Sequence, residues 1–163
     1  MNKSTVVVDI DGTLADIAHR RHHIEGRRKK WGKFFKEMDR DLPIPEVAAK
    51  VRALSQEHTI ILETGRPDDY REVTELWLKK HKIPYQQLYM RRAGDFRPDD
   101  IVKQEILDRH LNKEEIKLVI AHTSISIDGK PARSSLNRPT LIRLSSIAST
   151  SSCWPITATC SLI

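Results

Sequence analysis

The sequence predicts an α/β fold: a single domain whose central, mainly parallel sheet is flanked by helices. Short apolar segments alternate with helix-like segments through residues 1–121, which is the pattern of repeated β-α units joined by right-handed crossovers. The first apolar segment contains three consecutive valines, Val6, Val7 and Val8, as expected of a strand covered on both faces. A length of 163 residues suits one domain with a substantial core.

Four strands are predicted in this part of the chain, at residues 5–9, 59–62, 87–90 and 117–121. Three helices lie between them, at residues 45–56, 67–80 and from about 99 onwards. The first two begin at a proline, which suits the first helical turn, and Asp99 or Asp100 can cap the third. Apolar residues recur at helical spacing in each helix: Val47, Val51 and Leu54; Tyr70, Val73, Leu76 and Trp77; Val102 and Ile106.

The composition changes near residue 121. Residues 122–163 contain ten serines, five threonines and a single acidic residue. Hydroxyl-rich stretches without a helical apolar period are poor at building a core. We therefore expect residues 1–121 to form the domain and residues 122–163 to be an irregular or weakly ordered tail.

Charge and hydropathy narrow the class of protein. A formal charge of +6 and a pI near 9.4 favour polyanionic partners without selecting one. The sequence contains no apolar run long enough to cross a membrane, and its first residues lack the features of a secretory signal. We therefore expect no membrane partner and a cytoplasmic location.

Two carboxylates, Asp9 and Asp11, follow the valine strand. Strands of α/β sheets present functional groups at their carboxyl ends, and alternation places both side chains on one side of an extended backbone. Adjacent carboxylates repel each other, so the pair favours a bound cation or a shared proton. Gly12 allows a sharp turn that brings backbone amides close to a ligand. An acidic turn without a function would contain the same residue types.

Two later segments carry groups suited to phosphate. Thr64, Gly65 and Arg66 follow the second strand and precede a helix, where a hydroxyl, helix-start amides and a planar guanidinium could bind phosphate oxygens. A helix cap would account for Thr64 and Gly65 equally well. Lys103 lies in the first turn of its helix, where a cation opposes the helix dipole. That position indicates another partner, such as the carboxylate pair or a phosphate, although a solvated surface lysine is the alternative.

The segment Asp9-Ile10-Asp11-Gly12-Thr13-Leu14, together with Thr64 and Lys103, resembles the first three motifs of the haloacid dehalogenase (HAD) superfamily, whose domains are Rossmann-like. More narrowly, Thr64-Gly65-Arg66 and the segment at residues 97–106 resemble the 3′-phosphatase half of polynucleotide kinase-phosphatases. The likeness spans about residues 4–121. The kinase half is not part of it, because the sequence has no Gly-x-x-x-x-Gly-Lys-Ser/Thr motif.

That resemblance implies a phosphatase mechanism. Asp9 would attack phosphorus and form an aspartyl-phosphate, while Asp11 would protonate the leaving oxygen and later activate water. Mg²⁺, held by Asp9 and the backbone carbonyl of Asp11, would offset the charge of the two acids. Thr64 and Lys103 would bind the transferring phosphoryl group.

The resemblance also implies which residues bind the substrate and which residue completes the metal site. Arg66, Gly65 and Thr13 would bind the substrate, with Arg97 a further candidate. The superfamily places an acidic fourth motif after the strand predicted at residues 117–121, where this sequence has His-Thr-Ser instead. If the strand continues to residue 127, Asp128 is the one acid available as the missing metal ligand. Without such a ligand, magnesium affinity and turnover should both fall.

A basic segment, residues 19–31, lies within an insertion at residues 17–44 that would form a small or minimal cap. Because Trp31, Phe34 and Phe35 follow it, the segment could track a nucleic-acid backbone and stack a base. A solvated basic helix whose aromatic residues pack on the core is the alternative.

The sequence therefore predicts a magnesium-dependent phosphomonoester hydrolase acting on nucleic-acid 3′-phosphate ends or nucleotides. One alternative is a small-molecule phosphatase or 5′-nucleotidase. The other is a catalytically weak module that holds phosphate or nucleic acid through Arg66 and the basic segment.

Overall fold

The structure, a computed structural model, describes residues 3–25, 27–121 and 140–143. The main sheet of the described residues contains β1 (Thr5–Asp9), β4 (Thr59–Pro67), β5 (Gln87–Arg91), β6 (Ile116–Ala121) and β7 (Thr140–Arg143). Their order is β5-β4-β1-β6-β7, and all neighbours are parallel except β6 and β7. The predicted α/β class with a mainly parallel sheet is confirmed.

Helices cover both faces of this sheet. They are α3 (Pro45–Leu54), α4 (Arg71–Lys80) and α5 (Asp99–His110). Val6 and Val8 of β1 pack in the larger core cluster, which includes residues of α3 and α4, whereas Val7 packs with Leu107 of α5 on the opposite face. Since side chains alternate along a strand, Asp9 lies on the same face as Val7, toward α5.

Strand β4 is longer than the sequence predicted. The prediction ended the strand at residue 62 and began a helix at Pro67, but the chain stays extended through Pro67. Thr64 and Pro67 pair with Met90 and Arg91 of β5, and an irregularity in register lies between them. A 3₁₀ turn, Asp68–Tyr70, then leads into α4.

Two further predictions need correction. Leu76, expected on the apolar face of α4, is 59% exposed, and the buried residues of this helix are Thr74, Trp77 and Leu78. Irregular chain was expected beyond residue 121, yet Thr140–Arg143 forms β7, because the outer edge of β6 offers unpaired backbone groups for it to pair with. The division of the chain at residue 121 stays a prediction.

The insertion at residues 17–44 begins and ends at a small antiparallel ribbon. In this ribbon β2 (Ala15–Asp16) pairs with β3 (Leu42–Pro43). The insertion carries α1 (Ala18–Arg21), α2 (Trp31–Lys36) and a 3₁₀ turn, Met38–Arg40. Among the described residues, no helix combines the length and apolar character that a membrane span requires.

Candidate active site

Asp9 ends the central strand β1 at the carboxyl edge of the sheet. Lys103 Nζ donates to Asp9 Oδ1 at 2.9 Å, and Thr13 Oγ1 donates to Asp9 Oδ2 at 3.1 Å. Burial raises the pKa of Asp9, and Lys103 opposes that shift because it stabilises the ionised carboxylate. The first and third predicted motifs therefore meet here, across a separation of 94 residues.

Lys103 reaches Asp9 from the second turn of α5, not the first turn as predicted, because the helix begins at Asp99. Its ammonium also pairs with Asp99 Oδ2 at 2.8 Å, and Asp99 Oδ1 accepts from Arg91 Nη2 at 2.8 Å. Burial works to lower the pKa of Lys103, but Asp9 and Asp99 together hold it above its ordinary value. Lys103 is therefore a charged, doubly paired group that faces the carboxylate.

Asp11 lies between two buried guanidinium groups. Arg20 Nη2 and Arg66 Nη2 each donate to Asp11 Oδ1 at 2.6 Å, and Arg66 Nε contacts Oδ1 at 3.0 Å and Oδ2 at 3.1 Å. Burial works to raise the pKa of Asp11, but Arg66 and Arg20 outweigh it and hold the pKa below its usual value. The ionised form of Asp11 is favoured in this arrangement.

A second buried carboxylate, Asp41, completes this network and was missed by the sequence reasoning. Arg20 donates to Asp41 through Nε at 2.7 Å and Nη2 at 2.5 Å, and Arg66 Nη2 donates to it at 3.0 Å. Both arginine side chains are fully buried, and Asp41 is 1% exposed. Arg20 was also missed as a site residue, because it stands in a run of basic residues that resembles a solvated surface.

The second predicted motif lies on β4, beside β1. Thr64 is fully buried, and its hydroxyl oxygen accepts from the backbone N–H of Arg66 at 3.3 Å. Gly65 lies against the carboxylate of Asp99, since a Cβ at this position would lie 2.1 Å from Asp99 Oδ1. The space that a Cβ would need is thus taken by this carboxylate, which gives a structural reason for glycine here.

The remaining predicted site residues that the structure describes are not seen in contact with Asp9. Arg97, the further candidate for substrate binding, is half-exposed and pairs with Asp95 and Glu105, each at 2.6 Å. Its role toward a substrate stays a prediction, as does that of Arg66, whose contacts here are made within the domain. Asp128, the candidate for the fourth motif, lies outside the described residues.

Glu63 is a buried acid beside this site that the sequence reasoning did not single out. It is paired in register with Asp9 across β1 and β4, and it is 5% exposed. Its Oε1 has no hydrogen-bond partner within the described part of the chain. Burial raises the pKa of Glu63 to about 8, with Asp9 adding to that effect and Lys103 opposing it. Glu63 is therefore mostly protonated at neutral pH.

The donor chemistry at the end of β1 fits Mg²⁺. This cation prefers oxygen ligands and commonly keeps several waters, so one or two carboxylates suffice. Asp9 offers a carboxylate and Asp11 a backbone carbonyl. Because burial keeps the pKa of Asp9 raised despite Lys103, a further cation nearby would stabilise the ionised carboxylate. The described residues contain no cluster of three or more histidine, cysteine, aspartate or glutamate side chains able to hold a metal. The fit therefore rests on Asp9 and Asp11.

A parallel sheet with a lysine-paired aspartate at its central strand, and a second aspartate two residues on, defines a phosphoryl-transfer domain of the HAD class. The family model for the phosphatase domain of polynucleotide kinase PNKP matches residues 3–121. The chain belongs to this family of HAD phosphatase domains, as the sequence predicted.

Solved structures agree with this assignment. A chain in the Pnkp1/Rnl/Hen1 complex is 31% identical with a TM-score of 0.56, and the match covers 72% of this chain and 37% of that one. A chain in the Pnkp1/Rnl/Hen1 RNA repair complex is also 31% identical with a TM-score of 0.56, covering 70% of this chain and 34% of that one. The chain thus spans little more than a third of the length of these relatives. No curated protein sequence matches it.

Proposed function

We propose that this chain is a magnesium-dependent phosphomonoesterase that removes phosphate from nucleic-acid 3′ ends through an aspartyl-phosphate on Asp9. The observation that most strongly supports this proposal is the 2.9 Å contact between Lys103 Nζ and Asp9 Oδ1, with Asp11 two residues further along the chain. Membership of the PNKP phosphatase-domain family supports a nucleic-acid end as the substrate, as does the likeness to a chain of an RNA repair complex. A cytoplasmic location is part of the proposal.

Asp9 is the nucleophile in this mechanism. Lys103 and Thr13 hold its two carboxylate oxygens and so fix its orientation before a substrate arrives. One oxygen forms a bond to phosphorus as the bond from phosphorus to the 3′ oxygen breaks, and water then cleaves the aspartyl-phosphate to release inorganic phosphate. Lys103 and Thr64 stabilise the negative charge of the transferring group. Bound Mg²⁺, held by Asp9 and the backbone carbonyl of Asp11, would supply positive charge that offsets these anions.

Asp11 moves the protons. Its ionised form, which Arg66 and Arg20 favour, suits the second step, in which a base takes a proton from the attacking water. The first step needs the protonated form, which gives its proton to the leaving 3′ oxygen. A substrate phosphate that shares Arg66 would weaken the ion pair with Asp11 and so raise its pKa. Arg66 would then bind the substrate and, through the same contact, raise the pKa of Asp11.

Hydrolysis assays on the full chain test this proposal. The substrates are a 3′-phosphorylated oligonucleotide, the same oligonucleotide with a 5′-phosphate, and a mononucleotide, each with and without Mg²⁺. We expect release of inorganic phosphate from the 3′ end to need Mg²⁺ and to be abolished in Asp9→Asn.

The exposed Asp39 offers a matched control, because Asp39→Asn makes the same chemical change away from Asp9 and should retain wild-type activity. Equal rates in wild type and Asp9→Asn would overturn the proposed mechanism. Preference for the 5′-phosphate or for the mononucleotide would leave a phosphatase but overturn the proposed substrate.

A further inference from the structure

We propose that the exposed side of the insertion binds a single strand of nucleic acid and leads its 3′ end to the site. The surface has two parts. The aromatic strip is Trp31, Phe35 and Tyr70, and the basic group is Arg27, Arg28, Lys29, Lys30, Lys33 and Lys36. The inference deepens the proposed function and rests on it for the identity of the strand end.

The aromatic strip is a row of rings that remains partly open to solvent. The rings of Trp31 and Phe35 are stacked, with centroids 5.8 Å apart and planes 20° apart, and Tyr70 continues the row at 5.3 Å from Phe35. Trp31 is 46% exposed. Phe34 differs, since it is buried and meets Trp31 edge-on. One aromatic residue thus anchors α2 in the domain, while the others present a platform of the kind on which unpaired bases stack.

The basic group is a set of exposed cations on and before α2. All six side chains are exposed, and none has an ion-pair partner among the described residues. Some basic residues elsewhere do have such partners: Arg71 pairs with Glu75, Arg109 with Glu105 and Lys113 with Asp108. Lys29 also lies 5.6 Å from the ring of Trp31, so charge and aromatic surface adjoin. A phosphate backbone would supply the missing negative charge.

One side chain connects α2, the helix that carries Trp31 and Phe35, to the catalytic acid. The Arg20 guanidinium lies 4.1 Å from the ring centroid of Phe34 and donates to the Phe34 carbonyl at 3.2 Å. The same guanidinium donates to Asp11 at 2.6 Å. At the other end of the strip, Tyr70 follows Arg66 by four residues. Arg20 and Arg66, the two partners of Asp11, thus lie next to α2 in space and next to Tyr70 in the chain, respectively, and the proposed path directs the 3′ end of the strand toward this acid.

These features favour a single strand over other polyanions. A duplex hides the faces of its bases in its own stack, so it would leave the aromatic strip unused. An acidic peptide would match the basic group but would bring no row of flat rings. A single strand matches both parts, because its phosphates alternate with bases that are free to stack.

Equilibrium binding of fluorescently labelled 3′-hydroxyl oligonucleotides to the full chain tests the aromatic strip. We expect Trp31→Ala to weaken binding about 5-fold or more, the loss of one stacked base, and Trp31→Phe to recover most of that loss. Leu76→Ala is the matched control, because Leu76 is an apolar residue on α4 that is even more exposed than Trp31, at 59% against 46%, and this variant should bind like wild type. Circular dichroism spectra of the variants report whether they are folded.

The salt dependence of the same binding tests the basic group. Each phosphate contact contributes about 0.7 to the slope of log affinity against log salt for a single strand. The triple variant Lys30→Gln, Lys33→Gln, Lys36→Gln should therefore flatten the slope by about 2. Lys50→Gln, Lys79→Gln, Lys80→Gln removes the same charge from exposed positions on α3 and α4 and should flatten it much less.

Three results overturn the inference: tighter binding of a blunt duplex than of a single strand, wild-type affinity in Trp31→Ala, or equal slopes in the two triple variants.

Hydrolysis gives a separate readout. The ratio of kcat/KM for a 3′-phosphorylated oligonucleotide to that for a mononucleotide should fall in Trp31→Ala. Oligonucleotide binding that depends on both parts supports the inference even if no phosphate is released, a result that counts against the proposed function alone.

Discussion

Replacing Asp41 with Asn should lower the free energy of unfolding by several kcal/mol. Asp41 is the buried carboxylate shared by Arg20 and Arg66, and both guanidinium groups are fully buried. Asparagine keeps the shape but removes the charge, which leaves two buried cations with Asp11 as their remaining counter-charge. Breaking a buried ion pair by removing one partner costs about 3–5 kcal/mol. For a chain of this size, such a loss lowers Tm by about 6–20 °C.

Chemical or thermal unfolding followed by circular dichroism measures this loss. Asp108→Asn is the matched control, because Asp108 lies 2.6 Å from the ammonium of Lys113 but both side chains are about half-exposed. Exposed pairs contribute about 0–1 kcal/mol, so the control should unfold almost as wild type does. Similar losses in the two variants, or a loss below about 1 kcal/mol in Asp41→Asn, would refute the reasoning from burial.

Three further changes test other parts of the site. Lys103→Met should lower kcat/KM by about 10²–10³-fold, as expected for loss of a charged donor to the transferring group; steady-state kinetics measures it. Glu63→Gln should flatten the pH dependence of stability. Burial raises the folded-state pKa of Glu63 to about 8, so between about pH 4.5 and 8 the folded state keeps a proton that the unfolded state releases. Wild-type stability should therefore fall by up to about 1.4 kcal/mol per pH unit across that range, as denaturation at several pH values would show. Gly65→Ala should lower kcat/KM in the same kinetic assay, because the new methyl would lie 2.1 Å from Asp99 Oδ1 and so displace the carboxylate that pairs with Lys103.

The elements that the sequence predicted well are those whose pattern reflects burial directly. The valines of β1 and the residues Val47 and Val51 of α3 are buried as their spacing indicated. The end of β4 was not predictable in the same way. Thr64 and Gly65 are common in turns and caps, and they remain in a strand here because β5 pairs with Thr64 and with Pro67, on either side of Gly65. That pairing is a tertiary contact with no local signal.

The residues of the site also differ in whether their positions could be predicted from the sequence. The meeting of Asp9 with Lys103 could be expected, because the carboxyl end of one parallel strand and the start of the helix that follows another strand lie at the same edge of the sheet. The burial of Arg20 and Asp41 could not, because a charged residue in a charged insertion carries no mark of its final environment. Glu63 was overlooked because an acid beside an apolar strand is usually a boundary residue. Its burial follows from α5 lying across that face of the sheet.

The long span between Asp9 and Lys103 has a kinetic consequence. Contacts between residues 94 apart form only after much of the intervening chain is ordered, since closing so large a loop is entropically unfavourable. Helices such as α3 can form from local interactions well before that point. During refolding, recovery of enzymatic turnover should therefore lag behind recovery of the helical signal, and partly folded molecules should be inactive.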